Sequence, residues 1–360
     1  MTVNVLFVNH QMHKSIFGGA EVQILKTKNW IDKRHPDVHV KLFDMWRDDI
    51  KDYDIIHIFN PTAFPFESCR LARFANTLGV KVVTTPVFFS SDAWIKESMG
   101  ARLAFSWKLF DFFTRFRFTR NYLQYLDPLS HVEELLRTSD LVLPNTVEEL
   151  KLLSNTFFEI PSDKYVIVPN GADLQFKDGN EKLFEMQYNV RDFILYVGRV
   201  EARKNVIRLI RAFVRSGLKA RLVIIGGAEF QQYVESCKGE ANENVLFIPP
   251  MPHSDLLMSA YKAAKVVALP SYYETPGLAA LEGGLAGANV VITAIGGTRE
   301  YFGDFVWYVN PRSVDDIKKA LILAYNSSKT SALSKHIENN FTWEKVAQKT
   351  ADAYYFALNV

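Results

Sequence analysis

The sequence predicts an α/β protein built from two doubly wound parallel-sheet domains. Three observations predict this. Short apolar runs rich in β-branched residues alternate with amphipathic stretches, the pattern of buried parallel strands covered by helices on both faces. The alternation breaks once, at Tyr165-Val166-Ile167-Val168-Pro169-Asn170-Gly171, and then restarts. The length of 360 residues, 48% of them hydrophobic, suits about two domain cores.

The elements follow in order. Val3–Val8 reads as a buried strand, Gly18-Gly19 as a turn and residues 20–34 as a helix. Val38–Phe43, Ile55–Phe59, Val80–Thr85 and Leu141–Leu143 are further strands, most of them separated by helical patterns. The run ending in Pro169-Asn170-Gly171 reads as a strand closed by turn chemistry. Phe193–Val197 then opens a second series, followed by Gly198 and a helix over 204–216. Leu222–Ile225, Val245–Ile248, Val266–Leu269, Val290–Thr293 and Val306–Val309 continue it. Two helices, 313–326 and 343–358, close the chain. The expected division is a first domain over 1–169, completed by the terminal helix 343–360, and a second over 170–342.

Composition narrows the function classes. Lys plus Arg total 42 against 40 Asp plus Glu, a net charge of +2. A general nucleic-acid binder needs a strong basic surplus, so that class is excluded as the main role. Intrinsic disorder is excluded by the apolar fraction. The two cysteines, Cys69 and Cys237, lie far apart without metal-ligand spacing, so a reducing compartment and no zinc site are expected. The opening run Val3–Val8 is too short for a secretion signal, and no run of about 18 apolar residues exists. A cytoplasmic location is expected.

Chemistry-bearing residues cluster at predicted strand ends. After Val266–Leu269 comes Pro270-Ser271-Tyr272-Tyr273-Glu274-Thr275-Pro276-Gly277-Leu278, with Glu282 eight positions beyond Glu274. In a doubly wound sheet this edge is the ligand crevice. The helix N-terminus near Pro276–Leu278 offers N–H groups and partial positive charge to a phosphate. The carboxylates can accept from sugar hydroxyls. The structural alternative makes Glu274 a helix cap and Glu282 a solvated surface charge. Gly198-Arg199 and Lys204, after the first strand of the same second series, place two cations to clamp a diphosphate. A surface loop salt-bridged through Glu201 is the alternative. Gly226-Gly227 after the next strand permits close backbone approach. Gly18-Gly19 can face a phosphate or simply form a tight turn; it is not a dinucleotide fingerprint.

In chain order GGAE (18–21), DIIHIF (54–59), DLVLPNT (140–146), VPNGAD (168–173), GRVEARKN (198–205), PSYYETPGLAALEGG (270–284) and IGGTRE (295–300) resemble a GT-B fold glycosyltransferase. They are similar to the large retaining family 4. The resemblance implies two Rossmann-like domains facing a central cleft, with the C-terminal helix crossing back to the first. It implies a nucleotide-sugar donor, a UDP-sugar first and a GDP-sugar second, no other cofactor, and a glycan or lipid-linked acceptor. By the same resemblance Arg199 and Lys204 hold the diphosphate and stabilise it as leaving group. Glu274 contacts the donor sugar, and Glu282 accepts from the ribose hydroxyls. Gly198 and Gly226 match donor-binding turns. The backbone amides of Pro276, Gly277 and Leu278 match the loop touching sugar and phosphate, and Gly18 and Gly19 match a loop closing over the donor.

No metal requirement is expected. The one Asp-x-Asp, Asp52-Tyr53-Asp54, precedes a strand and so sits at the wrong end for a ligand. The resemblance departs at Thr85-Pro86-Val87-Phe88, where similar enzymes often carry a histidine followed by Asp or Gly. His10, His13, His57 and His131 have no role assignable from sequence. The alternatives are a GT-B-shaped nucleotide-sugar epimerase or phosphorylase, and a non-catalytic sugar-nucleotide binder.

Residues 94–126 stand apart, with ten aromatics, six basic and two acidic side chains. They read as a helical insertion. It either rests on an anionic membrane surface or packs on the core or a second subunit.

Overall fold

The computed structural model describes residues 2–10, 18–89, 106, 127–228 and 230–359. They form two compact units. The first takes the described residues up to Gly171 and those from Trp343 onward; the second is Ala172–Thr342. Apart from Ser106, the expected helical insertion 94–126 lies outside the described residues.

In unit 1 the elements run β1 (Val3–Val8), α1 (Gly19–Arg34), β2 (Val38–Leu42), β3 (Ile55–Phe59), α2 (Pro65–Thr77), β4 (Lys81–Thr85), α3 (Pro128–Thr138), β5 (Leu141–Val142) and α4 (Val147–Thr156). The parallel sheet has the order β2-β1-β3-β4-β5. Every residue of β3 is buried, His57 included, as a central strand covered on both faces requires. The chain passes from β2 across β1 to β3, so the topological switch point lies between β1 and β3.

The C-terminal helix Trp343–Leu358 belongs to this unit and packs on α1 and β4. Arg34 pairs with Glu344 at 2.8 Å, and Tyr354 Oη lies 2.7 Å from His57 Nδ1. The ring of His57 also stacks on Phe59.

Unit 2 contains α5 (Glu181–Tyr188), β6 (Ile194–Val197), α6 (Val206–Ser216), β7 (Leu222–Ile225), α7 (Gln231–Gly239), β8 (Val245–Ile248) and α8 (Asp255–Ala263). It continues with β9 (Val266–Leu269), α9 (Leu278–Leu285), β10 (Asn289–Thr293), α10 (Thr298–Phe302), β11 (Trp307–Val309), α11 (Val314–Asn326) and α12 (Ala332–Asn340). The order β11-β10-β9-β6-β7-β8 is again parallel throughout, and its switch point lies between β6 and β9. One apolar core fills both faces of this sheet.

One expected strand does not form. Residues 165–168 run beside β5, with Val166 N–H donating to Val142 and Val168 N–H to Pro144, but only Tyr165 makes a bridge. Pro144 has no N–H to return, so the ladder cannot propagate. The helix expected from 204 begins at Val206, behind a 3₁₀ turn over Ala202–Lys204.

Candidate functional site

The switch point of unit 2 gathers the residues that the sequence singled out. β6 ends in Gly198-Arg199 and β9 in Pro270-Ser271, and the two strands are neighbours. Lys204 Nζ lies 2.5 Å from Glu274 Oε1, and Ser271 Oγ donates to the same oxygen at 2.6 Å. Burial pushes the Lys204 ammonium below its ordinary value, and the Glu274 charge offsets this only in part. Burial would raise the Glu274 carboxyl, but the charges of Lys204 and Arg203 outweigh it and hold the group below the usual carboxylate range. Glu274 therefore stays ionised and Lys204 faces it as a cation.

The backbone around this pair is braced. Asn205, in the left-handed region at φ 59°, donates from Nδ2 to the carbonyls of Pro270 and Pro311 at 2.9 and 2.8 Å. It ties the β6 loop to the β9 loop. The Gly297 N–H donates to the Glu274 carbonyl, and the Glu274 N–H donates to that of Ile295. Gly296, at φ 99°, approaches so closely that an added Cβ would stand 2.1 Å from the Glu274 carbonyl oxygen. An equivalent Cβ on Gly226 would stand 1.8 Å from the carbonyl oxygen of Gly198, so only glycine lets these two loop ends touch.

Arg199 is half-buried, and its carbonyl accepts from Tyr196 Oη at 2.6 Å. The loop does carry a salt bridge through Glu201, but to Arg203 at 3.0 Å. This leaves Lys204 to Glu274 and gives Arg199 no acidic partner among the described residues.

The helix cap is Gly277, at φ 77°, and not Glu274. α9 starts at Leu278, so Glu282 lies just over one turn into it. Pro276 carries no N–H; the amide donors of this loop are Gly277 and Leu278, which corrects the expectation for Pro276. Glu282 is not a solvated charge either. It is 7% exposed; Tyr261 Oη donates to its Oε2 at 2.6 Å, and His253 Nε2 lies 3.3 Å from its Oε1.

Gly18 and Gly19 stand in unit 1, at the start of α1. Gly18 is extended at φ −154°, a conformation open to any residue. Its N–H donates to Glu21 Oε2 at 2.7 Å, while Glu21 Oε1 receives His10 Nε2 at 2.9 Å and Asn9 Nδ2 at 3.3 Å. This cluster follows β1, at the switch point of its own sheet.

Sequence reasoning gave no role to Ser271, Asn205, His253, Tyr261 or Gly296. Gly296 was visible within IGGTRE, though its contact was not. His253 and Tyr261 precede the motif that they serve and carry no local signal.

Residues 182–341 match the family model described as Glycosyl transferases group 1. An uncharacterized glycosyltransferase of Methanocaldococcus jannaschii is 30% identical over 250 residues, 64% of this chain and 64% of that protein. A D-inositol 3-phosphate glycosyltransferase of Kribbella flavida is 32% identical over 247 residues, 62% of this chain and 58% of that protein. The chain thus spans less than two thirds of either relative. Among solved structures, sucrose-phosphate synthase from Thermosynechococcus elongatus superposes with a TM-score of 0.77 at 16% identity over 99% of both chains. Anabaena HepE in complex with UDP and glucose gives 0.70 at 15% identity, covering 98% of this chain and 99% of that one. The fold is GT-B.

Proposed function

We propose that this chain is a glycosyltransferase that moves a sugar from a nucleoside-diphosphate sugar to a hydroxyl acceptor. The observation that carries the reading is the Lys204–Glu274 pair at the switch point of unit 2, beside Arg199 and the N-terminus of α9. Cleaving the anomeric carbon–oxygen bond leaves its electron pair on the diphosphate and positive charge on the sugar. Lys204, Arg199 and the Gly277 and Leu278 N–H groups stabilise the departing anion, and their preorganisation lowers the barrier. Glu274 holds Lys204 in place and offers a buried carboxylate to the donor sugar. Glu282, oriented by Tyr261 and His253, accepts from the ribose hydroxyls. Gly198 and Gly226 let the diphosphate approach backbone. The acceptor oxygen bonds to the anomeric carbon and its proton passes to the departing phosphate.

The match to group 1 glycosyltransferases over 182–341 supports this reading. HepE was solved with UDP and with UDP-glucose, which favours a UDP-sugar over a GDP-sugar. Relatives named for inositol 3-phosphate support a sugar-like acceptor, free or within a glycan or lipid-linked carrier. Retention, turnover without metal, a cytoplasmic location and the division at 169/170 complete the proposal. Nothing favours an epimerase, a phosphorylase or a non-catalytic binder.

Thermal-shift screening against UDP-, GDP-, ADP- and dTDP-sugars, followed by transfer assays with and without EDTA, tests the reading. Stabilisation by one nucleotide class is expected. A chain that no nucleotide sugar stabilises, and that hydrolyses and transfers none, refutes it.

A further inference from the structure

Unit 2 carries a second recess, at the amino edge of its sheet, the end away from Lys204 and Glu274. The turns that lead into β6, β7 and β8 and the last turn of α6 enclose a groove of about 610 Å³. That is the volume of a small-molecule site. The backbone around it is fixed. The Arg221 carbonyl accepts from the Ile194 N–H at 2.9 Å, and the Asn244 carbonyl from the Leu222 N–H at 3.0 Å. Asn242 Oδ1 accepts from the Asn244 N–H at 3.1 Å. α6 ends at Gly217, in the left-handed region at φ 65°, where an added Cβ would meet nothing within 4 Å.

The side chains along this groove are of three kinds. Arg191, Lys219 and Arg221 present cations. Among the described residues only Arg191 of these forms an ion pair, with Glu185 at 3.4 Å. Asp192 and Glu243 are sequence neighbours of lining residues, but neither lines the groove. α5 and α6 both end at this edge, and each helix C-terminus adds about half a negative charge. The two helix ends and Glu185 thus offset about two of the three cations, which leaves about one positive charge for a ligand.

Asn189, Asn242 and Asn244 bring amides that both donate and accept, the partners that hydroxyls need. Phe213, Val214 and Leu218 supply an apolar wall. One anionic group, several hydroxyls and a C–H face describe a phosphorylated sugar or polyol. The guanidinium groups of Arg191 and Arg221 can grip its phosphate through paired N–H donors.

The groove stands apart from the Lys204–Glu274 pair. α6 runs from one sheet edge to the other, and its 11 residues span about 16 Å. Asn205 caps its start beside Lys204, whereas Phe213 and Val214 lie in its last turn. A ligand in the groove therefore leaves the carboxyl edge of the sheet open.

We propose that this groove is a second binding site, for a phosphorylated sugar or polyol, filled independently of the nucleotide-sugar site. The ligand is a free sugar phosphate or the phosphorylated headgroup of a lipid, and the chemistry recognised is the same. The inference stands on the groove alone and does not require the transfer reading.

The test titrates the full chain by calorimetry with glucose 6-phosphate and inositol 1-phosphate, and separately with glucose and inorganic phosphate. Wild type is compared with the double variant Lys219→Gln/Arg221→Gln, which alters two exposed side chains. Wild type is expected to bind one of the sugar phosphates saturably, at least about 10-fold tighter than phosphate or glucose alone. The double variant should keep the wild-type Tm and lose about 10-fold or more of that affinity, the scale of one charge-assisted hydrogen bond. Saturating UDP should leave the affinity unchanged. Pelleting of wild type, and not of the double variant, with phosphatidylinositol vesicles but not phosphatidylcholine vesicles would identify the headgroup as the source. Binding of the free compounds without pelleting would identify the soluble metabolite. Affinity no better than that of inorganic phosphate would show a diffuse cationic surface and overturn the inference. So would unchanged binding by the double variant, competition by UDP, or no binding to either the free compounds or the vesicles.

Discussion

Lys204 Nζ and Glu274 Oε1 meet at 2.5 Å although 70 positions separate the two residues. They come from the loops after β6 and β9, which adjoin at the switch point of the second sheet. A diphosphate entering there would meet a cation already held in place.

Removing one partner strands the other. A buried charge that loses its counterion costs about 3–5 kcal/mol. Lys204→Met is therefore expected to lower the urea midpoint, by somewhat less than that because Arg203 still faces Glu274. The double variant Lys204→Met/Glu274→Gln carries neither charge and should regain most of the stability. It should not regain affinity for UDP-glucose. Wild-type binding by the double variant would remove Lys204 from the donor site.

The acid limb of stability should have two parts. The folded His57 resists protonation well below 6.5, whereas the unfolded ring takes a proton there. The unfolded state then binds more protons, so stability drains as pH falls from about 6.5. Folded Glu274 keeps its charge below the ordinary 4.5, so its contribution, present above that value, is lost as pH falls further. His57→Gln should flatten the first part and Glu274→Gln the second. On the alkaline side Lys204 gives up its proton more readily than a free lysine, so turnover should fall as pH rises, before 10.5 is reached, and Lys204→Arg should shift the limb upward. Melting curves and kcat/KM against pH read all three effects.

Strands were legible because a buried parallel strand is a local property. Val3–Val8, Ile55–Phe59, Leu222–Ile225, Val245–Ile248 and Val266–Leu269 occur with the limits that their apolar runs predict. The stretch 165–168 carries the same pattern and forms no strand, because pairing depended on Pro144, in another segment. Glu274, Lys204 and Gly277 stood out because glycine and proline punctuate strand ends. Their supports did not. Glu149 reaches Phe88 across 61 positions, and Tyr261 reaches Glu282 across 21, contacts that exist only once the sheet is assembled.

Close approach at Gly296 can be separated from its backbone angle. Gly296 and Gly287 have φ of 99° and 95°, but a Cβ on Gly287 would meet nothing within 4 Å, whereas one on Gly296 would strike the Glu274 carbonyl. Alanine at either position pays the same conformational cost, roughly 1 kcal/mol or somewhat more. Only Gly296→Ala should also displace Glu274 and weaken UDP-glucose binding. Isothermal titration of the two variants checks this, and equal loss of affinity in both would show that strain alone accounts for it.

Glu282 offers a test by ligand rather than by protein. Its carboxylate is held by Tyr261 and His253, so its orientation is set before any donor arrives. If it accepts from the ribose hydroxyls, wild type should bind UDP more tightly than 2′-deoxy-UDP. Hydrogen bonds to a charged group are worth about 1.5–3 kcal/mol, or roughly 10- to 100-fold in Kd. Glu282→Ala should lose that preference while binding 2′-deoxy-UDP nearly as wild type does. Tyr261→Phe, which frees the carboxylate to rotate, should narrow the ratio without abolishing it. A ratio unchanged in Glu282→Ala would place the ribose elsewhere, even if the overall affinity fell.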